Sequence, residues 1–156
     1  MRRRALVCAA ALLAMPAMAQ QTPAQPQAAS APSPIYTPDT GDAWIDARLR
    51  DLGAYAPRYP DAFVDEIARY LDVPRAYVVA LGQQPNWAPG DVYYACALAK
   101  ALAQPCRAVV RARAQDASDG WQGVAQRLAG KGKPLPHRAV RTLLRTSYAH
   151  WARPLD

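Results

Sequence analysis

The amino-acid sequence predicts an all-α fold of about seven short helices, arranged as stacked helix-turn-helix hairpins. Beyond residue 38, no run of four or more residues alternates apolar and polar side chains between turn signals, as a half-buried strand would. Apolar residues recur instead at three- and four-residue steps, as they do on one face of a helix. Prolines and glycines interrupt this pattern at intervals that suit short helices.

The first helix is predicted from Asp42 to Tyr55, with the Asp42 side chain as its N-cap. Pro57 and Pro60 are predicted to close this helix and to open the second, because proline lacks the N–H that an interior helical position uses. The second helix then extends to Leu71. Acidic residues occupy its early turns, where the helix dipole favours negative charge.

The later helices are delimited by the same kinds of signal. The third is predicted from Pro74 to Gly82, and an alanine-rich fourth follows Gly90-Asp91 and ends near Ala103. The remaining three are predicted over residues 105–115, 121–130 and 136–151.

Three segments of different composition divide the chain. Residues 1–19 combine a basic start, an apolar middle and a small-residue exit, which is typical of a secretory signal peptide. Residues 20–38 are rich in proline, alanine and glutamine and carry no charged side chain, so we expect a disordered linker. Residues 39–156 form the predicted helical domain.

The predicted signal peptide indicates where the protein is located and which partners it can meet. Its apolar part spans about 15 residues, short of the ~20 that a transmembrane helix needs. We therefore predict a periplasmic or secreted protein with no transmembrane anchor, whose net charge falls from +7 to +4 once the signal is removed. Residues 65–78 look like the helix-turn-helix of DNA-binding regulators, but nucleic acid is not an expected partner of an exported protein. The sequence indicates nothing about the oligomeric state.

An internal repeat of about 31 residues is visible in the predicted domain. Residues 67–74 and 98–105 align without a gap, and a Val-Val pair follows each closing proline at the same distance. A third proline, Pro136, lies 31 residues after Pro105, although the helix before it is displaced. Each unit is a helix, a short turn ending in proline and a second helix, and it would bury its apolar face by stacking on the next copy.

The repeat gives the two cysteines of the helical domain a structural context. At the same offset, Cys96 and Cys106 correspond to Asp65 and Arg75. A disulfide in one hairpin and a salt bridge in the other would both follow if the two positions face each other across the turn. We expect the Cys96–Cys106 disulfide in an oxidising compartment. A reactive thiol at the start of a helix is the alternative.

Charge is distributed unevenly along the helical domain. Residues 39–99 hold nine acidic and five basic side chains, whereas residues 100–156 hold eleven basic and three acidic ones. Two interpretations are open: the basic half binds an anionic envelope component or protein partner, or the two halves attract each other within the fold. Arginines at helical spacing in the last helix form a candidate binding surface, namely Arg138, Arg141 and Arg145.

No residue pattern predicts catalysis, a metal site or a cofactor. His137 and His150 are the only histidines, and neither has the spacing of a metal-ligand pair. Four residues near the start of the fourth helix extend the candidate binding surface, namely Trp87, Asp91, Tyr93 and Tyr94. The preferred hypothesis is a non-enzymatic interaction module. The alternative is an envelope enzyme with a site near Asp91, Tyr93 and Tyr94.

Three motifs occur together in the middle of the chain. They are WAPGDVYYAC at residues 87–96, PCRAVV at 105–110 and Gly120-Trp121. With them, residues 58–130 resemble a family of small exported all-helical proteins of Gram-negative bacteria. The resemblance implies an exported helical protein and brings no activity, cofactor or partner with it.

Overall fold

A computed structural model describes residues 36–155, and within this range the chain forms seven α-helices and no β-strand. The helices are α1 (Ala43–Arg58), α2 (Pro60–Tyr70), α3 (Arg75–Gly82), α4 (Pro89–Ala101), α5 (Cys106–Gln115), α6 (Gly120–Ala129) and α7 (His137–His150). The predicted all-α class and number of helices are confirmed. None of the helices in this range is long and apolar enough to cross a membrane.

The predicted signal peptide at 1–19 and the linker as far as residue 35 lie outside the described residues. The last three residues assigned to the linker, 36–38, contact the helical domain. Pro38 is buried, and its carbonyl accepts a hydrogen bond from the backbone N–H of Trp121 at 3.3 Å. The next carbonyl, of Asp39, accepts from the N–H of Gln122 at 2.7 Å. The packed part of the chain therefore includes residues before the predicted boundary.

The starts of α1 and α2 follow the predicted signals. Asp42 Oδ1 accepts hydrogen bonds from the backbone N–H groups of Trp44 and Ile45, both at 3.1 Å. These contacts satisfy two of the N–H groups that the first turn of a helix leaves without a partner. Pro60 occupies the first turn of α2, where its missing N–H costs nothing.

The prediction that Pro57 closes the first helix is wrong. Pro57 lies inside the last turn of α1, which continues to Arg58. The backbone N–H of Tyr59 then bonds the Tyr55 carbonyl at 3.0 Å and completes the turn. This close to the helix end, the missing N–H of proline removes one hydrogen bond and leaves the helical backbone around it intact.

Helix α4 lies at the centre of the domain. It packs against α1, α3, α5 and α7, and every residue from Gly90 to Ala99 is buried. A helix that is covered on all sides needs small side chains where its neighbours approach closely, and Ala95, Ala97 and Ala99 provide them. The alanine-rich composition of the predicted fourth helix thus reflects its central position.

The same turn joins α2 to α3 and α4 to α5. Asp72 and Ala103, which are 31 residues apart, both adopt the left-handed conformation, with φ of 57° and 53°. In each turn the N–H of the next residue, Val73 or Gln104, bonds the carbonyl five residues back, at 3.3 Å and 2.9 Å respectively. This is the Schellman ending of a helix, and the proline that follows prevents the first helix from continuing. The two aligned sequence segments therefore fold alike.

The third predicted copy, around Pro136, is arranged differently. Helix α7 packs on α1 and α4, whereas α6 packs on α5, so these two helices do not form a close hairpin. The same turn is found instead at the end of α7. There Ala152 has a φ of 52°, and the N–H of Arg153 bonds the Tyr148 carbonyl at 2.9 Å ahead of another proline.

Cys96 and Cys106 face each other across one turn, and Asp65 and Arg75 face each other across the other. The two sulfur atoms are 2.10 Å apart and the two Cα atoms 4.6 Å apart, which suits a disulfide. Arg75 Nε donates to Asp65 Oδ1 at 2.8 Å. Equivalent positions of the two hairpins thus hold a covalent link and an ion pair, as the sequence predicts.

The disulfide should stabilise the domain more than the equivalent ion pair does. We expect Cys96→Ala/Cys106→Ala to lower the free energy of unfolding by about 2–3 kcal/mol, because the bond closes a loop across a sequence separation of 10 residues. The matched variant Asp65→Asn/Arg75→Gln removes an exposed guanidinium group together with its ion pairs to Asp61 and Asp65, and it should lower stability much less. Urea unfolding without reductant measures both. A cysteine variant as stable as the unmodified protein would contradict the expectation.

Candidate functional site

The candidate binding surface separates into a buried group on α4 and an exposed group on α7. Asp91, Tyr93 and Tyr94 are 2%, 0% and 0% exposed, so these three residues do not form a surface, contrary to the prediction. The cause is the central position of α4, whose first turns are enclosed by neighbouring helices. Trp87 remains partly exposed. The exposed group on α7 consists of Arg138, Arg145 and the partly exposed Arg141.

The buried Asp91 carboxylate accepts three hydrogen bonds and faces one guanidinium group. Its Oδ1 accepts from the Tyr36 hydroxyl at 2.9 Å and from Trp121 Nε1 at 2.6 Å, and its Oδ2 accepts from the backbone N–H of Ala88 at 3.2 Å. Arg113 Nη2 lies 3.3 Å from Oδ1 and supplies the opposite charge. Burial and the negative charge of Asp91 raise the pKa of Tyr36 far above its ordinary value, so its hydroxyl remains a donor. These contacts give Asp91 a structural role.

The residues just before this carboxylate support the same arrangement. A Cβ atom added to Gly90 would lie 2.6 Å from the backbone oxygen of Leu49 and 2.8 Å from the Tyr36 hydroxyl. Only glycine therefore permits this close approach of α4 to α1. Trp87 covers the Arg113 side chain, whose guanidinium carbon lies 5.7 Å from the indole centroid. This part of the WAPGD motif thus positions the start of α4.

Tyr93 and Tyr94 point toward different helices. The Tyr93 hydroxyl and Ser147 Oγ on α7 share a hydrogen bond at 2.7 Å. Tyr94 packs edge-on against Trp121 on α6, with ring centroids 5.0 Å apart, and its buried hydroxyl has no hydrogen-bond partner among the described residues. Burial raises the pKa of both tyrosines well above the ordinary value. Both side chains therefore belong to the packed core.

Ion pairs join the acidic and basic halves of the domain within the fold. Of the nine acidic residues in 39–99, four form an ion pair with an arginine or lysine of the second half, and Glu66 contacts His150. The ion pairs are Asp42–Arg141, Asp51–Arg153, Asp72–Lys100 and Asp91–Arg113. Attraction between the halves, one of the two interpretations of the charge asymmetry, is thus observed. Six basic residues of the second half make no ion pair with residues 36–155, namely Arg107, Arg111, Lys131, Lys133, Arg138 and Arg145.

Three arginines surround the indole of Trp44 where α1 meets α7. The guanidinium carbons of Arg48, Arg141 and Arg145 lie 5.5, 5.7 and 5.0 Å from the ring centroid. Asp42 accepts two hydrogen bonds from Arg141, at 2.7 and 2.8 Å. We call this group the Trp44 arginine cluster. With three guanidinium groups and one bonded carboxylate, it is a site of concentrated positive charge.

The sequence identified only part of this cluster. Arg141 and Arg145 were among the candidate residues, whereas Trp44 and Arg48 were not. Their spacing of four residues on a predicted helix is the signal that could have found them. Arg138, the third arginine predicted on α7, lines a separate depression beside Lys100. The structure thus brings two of the three predicted arginines together.

The two histidines contact carbonyl or carboxylate oxygens. His137 Nε2 lies 3.0 Å from the Thr40 carbonyl oxygen, and His150 Nδ1 lies 2.9 Å from Glu66 Oε1. Across residues 36–155, no group of three histidine, cysteine, aspartate or glutamate side chains is arranged to hold a metal ion. No family model, no curated protein and no solved structure matches the chain.

Removal of the Asp91 carboxylate should destabilise the whole domain. We expect Asp91→Ala to lower the free energy of unfolding by about 3–5 kcal/mol, because it leaves the partly buried Arg113 guanidinium, the Tyr36 hydroxyl and the buried Trp121 N–H without their acceptor. The control Asp61→Ala removes a carboxylate whose side chain is 87% exposed and should change stability by less than about 0.5 kcal/mol. Thermal and urea unfolding measure both variants. Similar effects of the two substitutions would refute the structural role of Asp91.

Acid should destabilise the protein through Asp42 and Asp51. Hydrogen bonds from Arg153 lower the pKa of Asp51 below its ordinary value of 3.8. Burial alone would raise the pKa of Asp42, but hydrogen bonds from Arg141 and from the backbone of Ile45 outweigh burial and lower it. As the pH falls towards these pKa values, the unfolded chain therefore binds more protons than the folded protein does. The free energy of unfolding should decrease below about pH 4.

This pH dependence can be assigned by urea unfolding at a series of pH values. Asp51→Asn should lower stability at neutral pH and flatten its decline below about pH 4, because it removes one carboxylate with a depressed pKa. Arg153→Gln should flatten the decline in the same way, since it returns the pKa of Asp51 toward the ordinary value. Curves parallel to that of the unmodified protein would show that this pair does not contribute.

Proposed function

We propose that this protein is a non-enzymatic periplasmic or secreted interaction module, which binds an anionic component of the cell envelope through the arginines of α7. The observation that carries the proposal is the Trp44 arginine cluster. It places three guanidinium groups within 5.7 Å of one indole centroid on a partly exposed face.

The cluster suits a phosphate or carboxylate ligand. Like charges held close together repel each other, and the face of Trp44 offsets this repulsion only in part. Arg141 forms an ion pair with Asp42, whereas Arg145 has no carboxylate partner within residues 36–155. A guanidinium group can donate two parallel hydrogen bonds to the oxygens of one phosphate or carboxylate. An anion between these arginines would therefore relieve the repulsion among them and accept directed hydrogen bonds.

The proposed location is supported by two independent features. Residues 1–19 have the composition of a secretory signal, and the sulfur atoms of Cys96 and Cys106 lie at bonding distance. Structural disulfides persist in oxidising compartments such as the periplasm. The resemblance of residues 58–130 to a family of small exported proteins agrees with this location.

The alternative, an envelope enzyme with a site near Asp91, Tyr93 and Tyr94, has less support. All three side chains are buried, and the Asp91 carboxylate is bonded to structural donors from three other parts of the chain. Substrate would reach them only if the helices around α4 separated. The exposed arginines of α7 require no such rearrangement.

Cosedimentation with lipid tests the proposal. The purified mature protein should bind vesicles of phosphatidylglycerol and aggregates of lipopolysaccharide, but not vesicles of phosphatidylcholine, and binding should weaken as salt is added. We expect Arg138→Gln/Arg145→Gln to weaken binding about tenfold or more, since each arginine near an anionic surface contributes ~1 kcal/mol.

The control variant is Arg107→Gln/Arg111→Gln. It removes two arginines that are equally exposed and equally without ion pairs in the described domain, but that lie on α5. Its binding should stay close to that of the unmodified protein. An equal loss in both variants would show that net charge alone governs binding, and no binding at low salt would overturn the proposal.

A further inference from the structure

A second depression lies where the C-terminal ends of α1 and α7 meet. Its volume is about 530 Å³, within the ~300–1,000 Å³ that is usual for small-molecule sites. It is lined by Ala54, Tyr55, Arg58, Tyr59, Trp151 and Arg153. We call it the Tyr55 depression. None of these residues belongs to the Trp44 arginine cluster or to the candidate surface that the sequence suggested.

Three aromatic rings form one wall of the depression. The ring centroid of Tyr55 lies 4.6 Å from that of Trp151 and 5.1 Å from that of Tyr59. Trp151 Nε1 donates to the Ala62 carbonyl at 3.3 Å, which fixes the orientation of the indole. Tyr59 is 51% exposed, an unusual exposure for a large aromatic side chain in this domain. The wall is therefore rigid on one side and open to a ligand on the other.

Polar groups are available at the edge of this wall. Arg153 donates to both oxygens of Asp51 and packs over Tyr55 at 4.9 Å, so its position is fixed and its charge is balanced. Arg58 is exposed and makes no ion pair with residues 36–155, which leaves the depression with an excess positive charge. The Tyr55 ring is only 8% exposed, yet no residue of the described domain hydrogen-bonds its hydroxyl.

We propose that the Tyr55 depression binds an anionic sugar, a pyranose ring that carries a carboxylate or a phosphate. The apolar C–H face of such a ring packs on the faces of Tyr59 and Trp151. Its anionic group pairs with Arg58, and its hydroxyls exchange hydrogen bonds with Tyr55.

Other ligand classes use only part of this site. A purely apolar molecule would leave Arg58 and the Tyr55 hydroxyl without partners in a less hydrated environment. A neutral sugar would gain nothing from Arg58, and inorganic phosphate would gain nothing from the aromatic wall. The combination of stacked rings, one unpaired cation and an available hydroxyl therefore selects a sugar with a negative charge.

The indole N–H signals of the four tryptophans provide a test in ¹⁵N-labelled mature protein. Glucuronic acid and glucose 6-phosphate are the two charged probes, while glucose and inorganic phosphate each lack one of the two required features. The Trp151 signal should shift on titration with one or both charged sugars. The sugar that causes the shift shows whether the site prefers a carboxylate or a phosphate. It should move much less with glucose and not at all with inorganic phosphate.

Two substitutions of exposed residues separate the contributions without disturbing the core. Arg58→Gln should weaken binding of the charged sugar about tenfold and leave the response to glucose unchanged. Arg50→Gln, a change at another exposed arginine of α1, is the matched control and should have no effect. Tyr59→Ala should weaken binding of charged and neutral sugars alike.

Three results would overturn the proposal. They are a Trp151 signal that no charged sugar moves, an equal response to inorganic phosphate, and unchanged binding in Arg58→Gln. The first of these results, if it came with a shift of the Trp44 signal, would place the sugar at the Trp44 arginine cluster instead. Loss of vesicle binding, in contrast, concerns only the arginines on α7, so the two proposals can fail independently.

Discussion

The buried carboxylate of Asp91 is the interaction on which most of the domain depends. A carboxylate is costly to bury unless donors and an opposite charge surround it. Tyr36, Ala88, Trp121 and Arg113 meet this requirement, and they come from the N-terminal segment, the start of α4, α6 and α5. Because each donor must reach the same two oxygens, the four segments have little freedom to shift against one another. Asp91 thus sets the relative positions of elements that are distant in sequence.

Around this centre, charge holds the outer helices to the core. Asp42 and Asp51 on α1 are bound by Arg141 and Arg153 from the region of α7, and similar pairs link the other acidic helices to the second half. The acidic and basic halves are therefore largely complementary to each other. Part of the positive charge of the second half is not neutralised by acidic residues within 36–155. Arg145, held beside Trp44 without a carboxylate of its own, belongs to that fraction.

Local signals explain why so much of the architecture could be predicted. Helix starts, proline turns and the offset between the cysteines and their charged equivalents are all properties of short segments. The burial of α4 could not be predicted in this way. Asp91, Tyr93 and Tyr94 occupy its first two turns, and their order in the sequence is compatible with an exposed helix as well as with an enclosed one. Only the packing of four other helices around α4 decides it. The Trp44 arginine cluster was missed in part for the same reason, because it joins residues almost 100 positions apart.

Residues of the WAPGD, Gly120-Trp121 and paired-cysteine motifs have structural roles. Gly90 permits close approach of α1, Asp91 organises the core, and Trp121 supplies one of its donors. Cys96 and Cys106 join the two helices that flank one turn. The Trp44 arginine cluster and the Tyr55 depression both lie outside these motifs, on the outer faces of α1 and α7.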